Sequence, residues 1–155
     1  MRFVIEKTVE INAPANVVWE VLSDLPKYPQ WNPFCIEARS TLRPGDPIDM
    51  KVKLLARPQA QREWMKEYIE GRRFAYSMKP VPGGALSSFR SHDVEPIDAT
   101  RTRYRSYFHL QGWLRFLVLA LLRDKLEAGF AGMTDGVRRR AEELWIHRQT
   151  QAGGG

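Results

Sequence analysis

Arg90 and His92 are the residues whose types and spacing most invite chemistry. They stand two apart in a strand-like run, 86–94, and side chains two apart on a strand share a face. A second run, 100–110, puts Tyr104, Ser106, Phe108 and Leu110 on one face and Arg103, Arg105, Tyr107 and His109 on the other. Buried beside Tyr104 and Ser106, an arginine and a histidine could bind a polar head group or polarise a carbonyl. His92 could then act as a general base near neutral pH. The alternative is structural: the pair sits near a strand end in solvent, or pairs with Asp93 or Glu95.

Little else in the chain carries a catalytic signature. GxSxG, HExxH, Walker-loop and GxGxxG patterns are all missing. Cys35 is the single cysteine, so no intramolecular disulfide can form. Without a Cys/His cluster, neither a metal nor another cofactor is expected. The net charge is +6, and 17 of the 24 basic residues are arginine. That balance could mark an anionic partner, but the basic residues are scattered rather than blocked, which reads as solvated surface. Arg101, Arg103 and Arg105 form a basic row with sparse aromatic interleaving, so no nucleic-acid partner is expected.

The elements that must position these residues follow from periodicity. The 155 residues are the size of one domain. Phe3, Ile5, Val9 and Ile11 alternate with Val4, Glu6, Thr8 and Glu10, which predicts a half-buried strand. Lys7 breaks its apolar face, so the strand curves or lies near an edge. A helix opens near Pro14, with Asn12 or Ala13 as its cap, and carries Val17, Val18, Val21, Leu22 and Leu25 on one stripe. The proline-rich stretch 24–34 permits only a short helical turn or a loop. Strand-like runs then occupy 35–42, 48–55, 61–69, 72–78, 86–94 and 100–110, separated by turn signals. Trp64 and Tyr68 alternate with Met65 and Ile69, both sets apolar, and their faces stay unassigned. Phe74, Tyr76 and Met78 share a face. With the first strand this makes seven, expected as an antiparallel meander.

Beyond Gly112 the period changes. Leu119, Leu122, Leu126, Phe130, Met133, Val137, Ala141 and Leu144 step by three or four, one continuous helical face. Such a helix runs ~30 residues, ~45 Å. The apolar stretch 113–122 reads as a possible separate short helix. The expected unit is one domain over 1–148 with a flexible tail at 149–155. The N-terminus carries no apolar run of signal-peptide length, and the longest apolar run, 116–122, is far short of the ~18–20 residues that span a bilayer. A soluble, cytoplasmic protein is therefore expected.

Several motifs together resemble one family. The segment from Ile11 through Ala13, Pro14, Val18, Trp19 and Leu22 to Asp24 resembles the I-x-A-P-x-x-x-V-W-x-x-L-x-D opening of SRPBCC proteins, the START-like (Bet v 1-like) superfamily, in its polyketide cyclase/dehydrase-like branch. Tyr28 to Phe34, YPQWNPF, matches that branch's YPxWNPF loop in full. Thr102, Arg103 and Gly112 resemble its last strand. Leu126, Gly129, Phe130, Met133 and Glu142 resemble its final helix. The resemblance implies an α+β helix-grip fold: a seven-stranded curved antiparallel sheet wrapped around a long C-terminal helix, with two short helices between strands 1 and 2. It also implies a deep cavity for lipids, polyketides or other apolar ligands. By its pattern Arg90, His92 and Val94, then Tyr104, Ser106, Phe108 and Leu110, face inward. The chain departs from the family there. Arg90 replaces a usual His, His92 a usual Phe, Ser106 a usual His and Phe108 a usual Glu.

The cavity this implies would be lined by Phe74, Tyr76, Arg90, His92, Tyr104, Ser106, Phe108, Leu122, Leu126, Phe130 and Met133. Three functions follow as expectations. The first is binding or carriage of an apolar small molecule. The second is a polyketide cyclase/aromatase-like enzyme using Arg90, His92 and Tyr104. The third is a surface protein meeting a protein or, transiently, a membrane through Trp113, Leu114 and Phe116, which would then lie exposed. Among the loop aromatics, Trp31 is expected to fill the gap over the sheet and Asn32 to satisfy loop backbone groups.

Overall fold

The computed structural model describes residues 2–153. In chain order come β1 (Arg2–Ile11), α1 (Ala15–Ser23), a short 3-10 helix (Leu25–Gln30), β2 (Cys35–Ser40), β3 (Pro47–Val52), β4 (Gln59–Ile69), β5 (Arg73–Ser77), β6 (Ser87–Pro96), β7 (Thr102–Gln111) and α2 (Arg115–Gly153). The strands form one seven-stranded sheet in the order β1-β7-β6-β5-β4-β3-β2. Every pairing is antiparallel. β2 to β7 are thus the expected meander, and β1 closes onto β7. The sheet is curved and open, with α2 along its concave face: the helix-grip fold.

Local chemistry explains each boundary. β1 is an edge strand, as its interrupting Lys7 suggested. The α1 cap is Pro14 itself, one residue later than expected: its backbone is extended, and its carbonyl accepts the N–H groups of Val17 and Val18. Val17, Val18, Trp19, Val21 and Leu22 are buried. The Tyr28 hydroxyl donates to the Leu22 carbonyl at 2.6 Å, tying the 3-10 helix back to α1.

β4 explains the unassigned faces of Trp64 and Tyr68. A bulge between Met65 and Glu67 inserts one residue, so inward positions on the two sides are an odd number apart. Met65 is buried, and the Tyr68 ring meets Trp19 of α1 at 5.8 Å, while Trp64 lies on the opposite side of the strand from Met65.

α2 is one helix of 39 residues. The separate helix expected over 113–122 is not found, because neither Gly nor Pro interrupts 115–128. Gly112 makes the corner into α2 at φ +107°, and a Cβ there would stand 2.3 Å from the Ala85 carbonyl oxygen. The helix also continues over 149–153, where a flexible tail was expected; Gly154 and Gly155 lie outside the described residues.

The YPQWNPF loop lies against α2 along Gly129, Gly132 and Gly136. Those positions would bring a Cβ to 2.3 Å from the Phe34 ring, 3.4 Å from Pro33 and 3.0 Å from the Trp31 carbonyl oxygen. Half-buried Trp31 thus packs on Tyr28 and α2, against the core. Asn32 Oδ1 accepts the backbone N–H groups of Phe34 and Cys35, the expected backbone role.

Candidate functional site

Register sets the interior. Across the sheet Tyr76 pairs with Arg90 and Arg90 with Phe108; one step along, Phe74 pairs with His92 and His92 with Ser106. Arg90, His92, Tyr104 and Ser106 are all buried. Neither Arg90 nor His92 reaches solvent or pairs with Asp93 or Glu95. Those carboxylates instead meet Arg73, Arg105 and Arg103 on the outer face. Arg101 pairs with Glu10 and Asp98, so the basic row of β7 is matched by acids.

A cavity of about 360 Å³ opens between the concave face and α2. That is the lower range for small-molecule sites. Phe34, Met50, Val52, Leu54, Met78 and Leu110 supply much of its apolar wall. Of the residues expected from sequence, Tyr76, Arg90, Phe108, Leu126, Phe130 and Met133 are in the wall. Phe74, His92, Tyr104 and Ser106 are not: they belong to the closed core beside it. The reason is α1, whose Trp19 packs edge-on against Phe74 at 5.7 Å and seals that half of the sheet. Leu122 is half-buried, one turn before Leu126.

Arg90 is the cavity's buried cation. Its Nη1 donates to Ser106 Oγ at 2.6 Å and to the Tyr107 carbonyl at 3.3 Å. Its Nη2 reaches the Met133 sulfur at 3.6 Å, and its guanidinium lies 4.6 Å from the centre of the Phe130 ring. Among the described residues, no carboxylate comes within 4 Å of it. A buried guanidinium favours an acceptor oxygen arriving with a ligand.

His92 lies elsewhere than a base should. Its Nδ1 is 2.6 Å from the Tyr104 hydroxyl, and its ring sits 4.8 Å from Phe74. Its Nε2 is buried without a partner. Burial, with the Arg90 charge adding to it, holds the imidazole well below its usual pKa. His92 is therefore neutral at pH 7, and it stands behind the wall.

Sequence reasoning missed Glu63. It lies on β4 in the same alternating set as Gln61 and Met65, and all three flank the concave side. Gln61 and Glu63 are in the cavity wall. Burial pushes the Glu63 carboxyl up to about 7, against the pull of Arg90. Burial also raises the Cys35 thiol to about 12, and the nearby Glu63 charge pushes the same way. The missed signal was the two-residue step from Glu63 to a buried methionine.

The turn into α2 and the first turns of that helix carry exposed apolar side chains. Trp113, Phe116, Leu117 and Leu121 are 63, 65, 58 and 69% exposed, while Leu114 is half-buried. No helix among the described residues is long and apolar enough to cross a membrane.

Solved structures place the architecture. Norcoclaurine synthase from Thalictrum flavum, in complex with dopamine and hydroxybenzaldehyde, is similar with a TM-score of 0.69 at 16% identity, covering 92% of this chain and 88% of that one. A START superfamily protein from Mycobacterium smegmatis gives 0.69 at 18%, covering 91% and 98%. The Zhui aromatase/cyclase from Streptomyces gives 0.68 at 19%, covering 100% and 99%. At these identities the likeness is one of fold. No curated protein matches the sequence. Residues 2–142, nearly the whole domain, match the family described as polyketide cyclase/dehydrase and lipid transport, and the chain belongs to that family.

Proposed function

We propose that the domain over 1–148 binds and carries an apolar small molecule, a lipid, a polyketide or an aromatic compound, in the cavity under α2. The observation that carries this reading is an apolar-walled space of about 360 Å³ with one buried, carboxylate-free arginine in its wall. Family membership supports it, and a synthase of the same fold is seen with small aromatic ligands. Carriage is favoured over a cyclase using Arg90, His92 and Tyr104. Two of those three lie in the closed core, bonded to each other, and the histidine is held neutral. A cytoplasmic setting fits the reading.

Native mass spectrometry of protein purified from its own host tests this. The expected result is a stoichiometric apolar adduct that Leu126→Trp, which fills the cavity, removes without lowering the melting temperature. Binding unchanged in Leu126→Trp would sink the proposal.

The exposed entry to α2 favours a second reading, transient contact with an anionic lipid surface through Trp113, Leu114 and Phe116. Arg115, Arg123 and Lys125 lie in the same stretch of a chain of net charge +6. Aromatic and apolar side chains beside cations are what such a surface takes up. Sedimentation with phosphatidylglycerol-containing vesicles, lost in Phe116→Asp, is the expected result. Equal sedimentation of the variant counts against it.

A further inference from the structure

Glu63 and Arg90 pose the same question from two strands. Both are in the cavity wall, one acidic and one basic, and no ion pair joins them. The Glu63 carboxylate accepts no hydrogen bond from any described residue, although it sits among groups whose ionisation its charge alters: Cys35 on β2 and Tyr76 on β5. Arg90 has five N–H donors to place. Ser106, the Tyr107 carbonyl and, weakly, the Met133 sulfur take up part of that number. Among the described residues no further acceptor is hydrogen-bonded to it.

A buried polar group is nearly always partnered, and a charged one is costly when it is not. Arg90 is buried and Glu63 half-buried, both facing the cavity, and the two have opposite needs. Glu63 accepts and Arg90 donates. They also lie apart. Tyr76 of β5 is the direct neighbour of Arg90, and Glu63 stands beyond it on β4, two residues before the Met65 that pairs with Tyr76. The strands between them and the wall around them present Tyr76, Met78 and Phe108. One small ligand cannot satisfy both with a single atom. It needs two groups separated by an apolar frame.

Resting on the cavity being a ligand site, we infer that its ligand is a two-headed amphiphile. It offers an acceptor oxygen, carbonyl or carboxylate, to Arg90 and a donor hydroxyl or ammonium to Glu63. Glu63 is thereby a specificity-determining residue. The apolar frame between the two heads lies on Met78, Phe108 and Phe130. A simple hydrocarbon leaves both groups without a partner and a single-headed fatty chain leaves one, and the site selects against each.

Four rigid probes test this by calorimetric titration at about pH 8, where Glu63 is ionised: naphthalene, β-naphthol, β-naphthoic acid, and the hydroxynaphthoic acid that carries both groups at opposite ends. The expected result is that hydroxynaphthoic acid binds about tenfold tighter than either single-headed probe. In Glu63→Leu that advantage over naphthoic acid disappears, while naphthoic acid itself binds as before. Arg90→Met removes the advantage over naphthol. Should that variant fold poorly, the Glu63→Leu arm decides alone. Equal affinity for all four probes, or a hydroxyl preference that survives Glu63→Leu, overturns the inference and leaves the cavity reading standing. No binding by any probe, naphthalene included, overturns both.

Discussion

Tyr104 and Phe108 lie four residues apart on one face of β7, yet they meet different surroundings. Tyr104 is sealed between His92 and the elements under α1, with no accessible surface. Phe108 keeps an edge on open space and stacks against Phe130 at 4.7 Å. The strand and the face are the same, so the strand does not decide which part of the interior stays empty. The helices do. Trp19 of α1 presses on Phe74 at one end, whereas at the other only α2 spans the concave side, and three glycines hold the loop close to it. A cavity here is the part of the sheet that no second helix covers.

Paired truncations test this most sharply. Phe74→Ala, in the sealed half, costs about 4 kcal/mol, because it leaves a void in close packing. Phe108→Ala costs about 2 kcal/mol, since one side of that ring already lacks partner atoms. Chemical denaturation of both variants checks the ratio. Equal losses would mean that the two halves are packed alike.

Glu63 is next. Its folded pKa of about 7 stands above the ordinary 4.5. The folded state therefore binds this proton more tightly than the unfolded chain. Stability falls as pH rises from about 4.5 to about 7 and stays lower above that. Glu63→Gln removes the penalty. It stabilises by up to about 3 kcal/mol at pH 8 and changes little at pH 4. Melting curves at the two pH values read the difference directly.

The sealed half predicts a smaller, coupled effect. His92→Leu strands the Tyr104 hydroxyl and costs about 2 kcal/mol. Adding Tyr104→Phe recovers most of that, because both polar partners are then gone. A double-mutant cycle that proves additive would show that the 2.6 Å contact carries no energy.

The smallest effects lie along the glycines of α2. Gly129→Ala drives a methyl into the Phe34 ring, displaces it toward the cavity and costs about 1–2 kcal/mol. Gly132→Ala meets Pro33 only at ordinary contact distance. It is near neutral, and the better helix former offsets the contact. Thermal melts rank the two.

How much of this could be read in advance varied with the kind of pattern. Strand alternation, the α1 stripe and the long face of α2 are one-dimensional signals, and they set the fold. The YPQWNPF loop announced its own rigidity. Three things escaped. The β4 bulge shifts the period by one residue, and nothing in 59–69 marks it. Glu63 sits in an alternating strand where a glutamate ordinarily marks the wet face, so its place in the cavity wall depends on the partner layer. The expected pattern puts His92 and Tyr104 on the inner face, but whether that face meets a helix or open space depends on how α1 folds back. Contacts of that kind join residues far apart in sequence and leave no local trace.

Lys7 bears on how the chain is assembled. β1 precedes the other six strands in the chain, yet among the described strands its partner is β7, where Ile11 pairs with Thr102 and Arg2 with Gln111. Until nearly all of the domain exists, a strand bearing Phe3, Ile5, Val9 and Ile11 has no neighbour on either side. An unpaired apolar strand is a template for joining another chain. A lysine in the middle of its apolar row makes such a wrong partner costly, while in the finished sheet it rests at the outer edge opposite Ser106, still in water. The interruption that first marked β1 as an edge thus also protects the chain while it waits for its last strand.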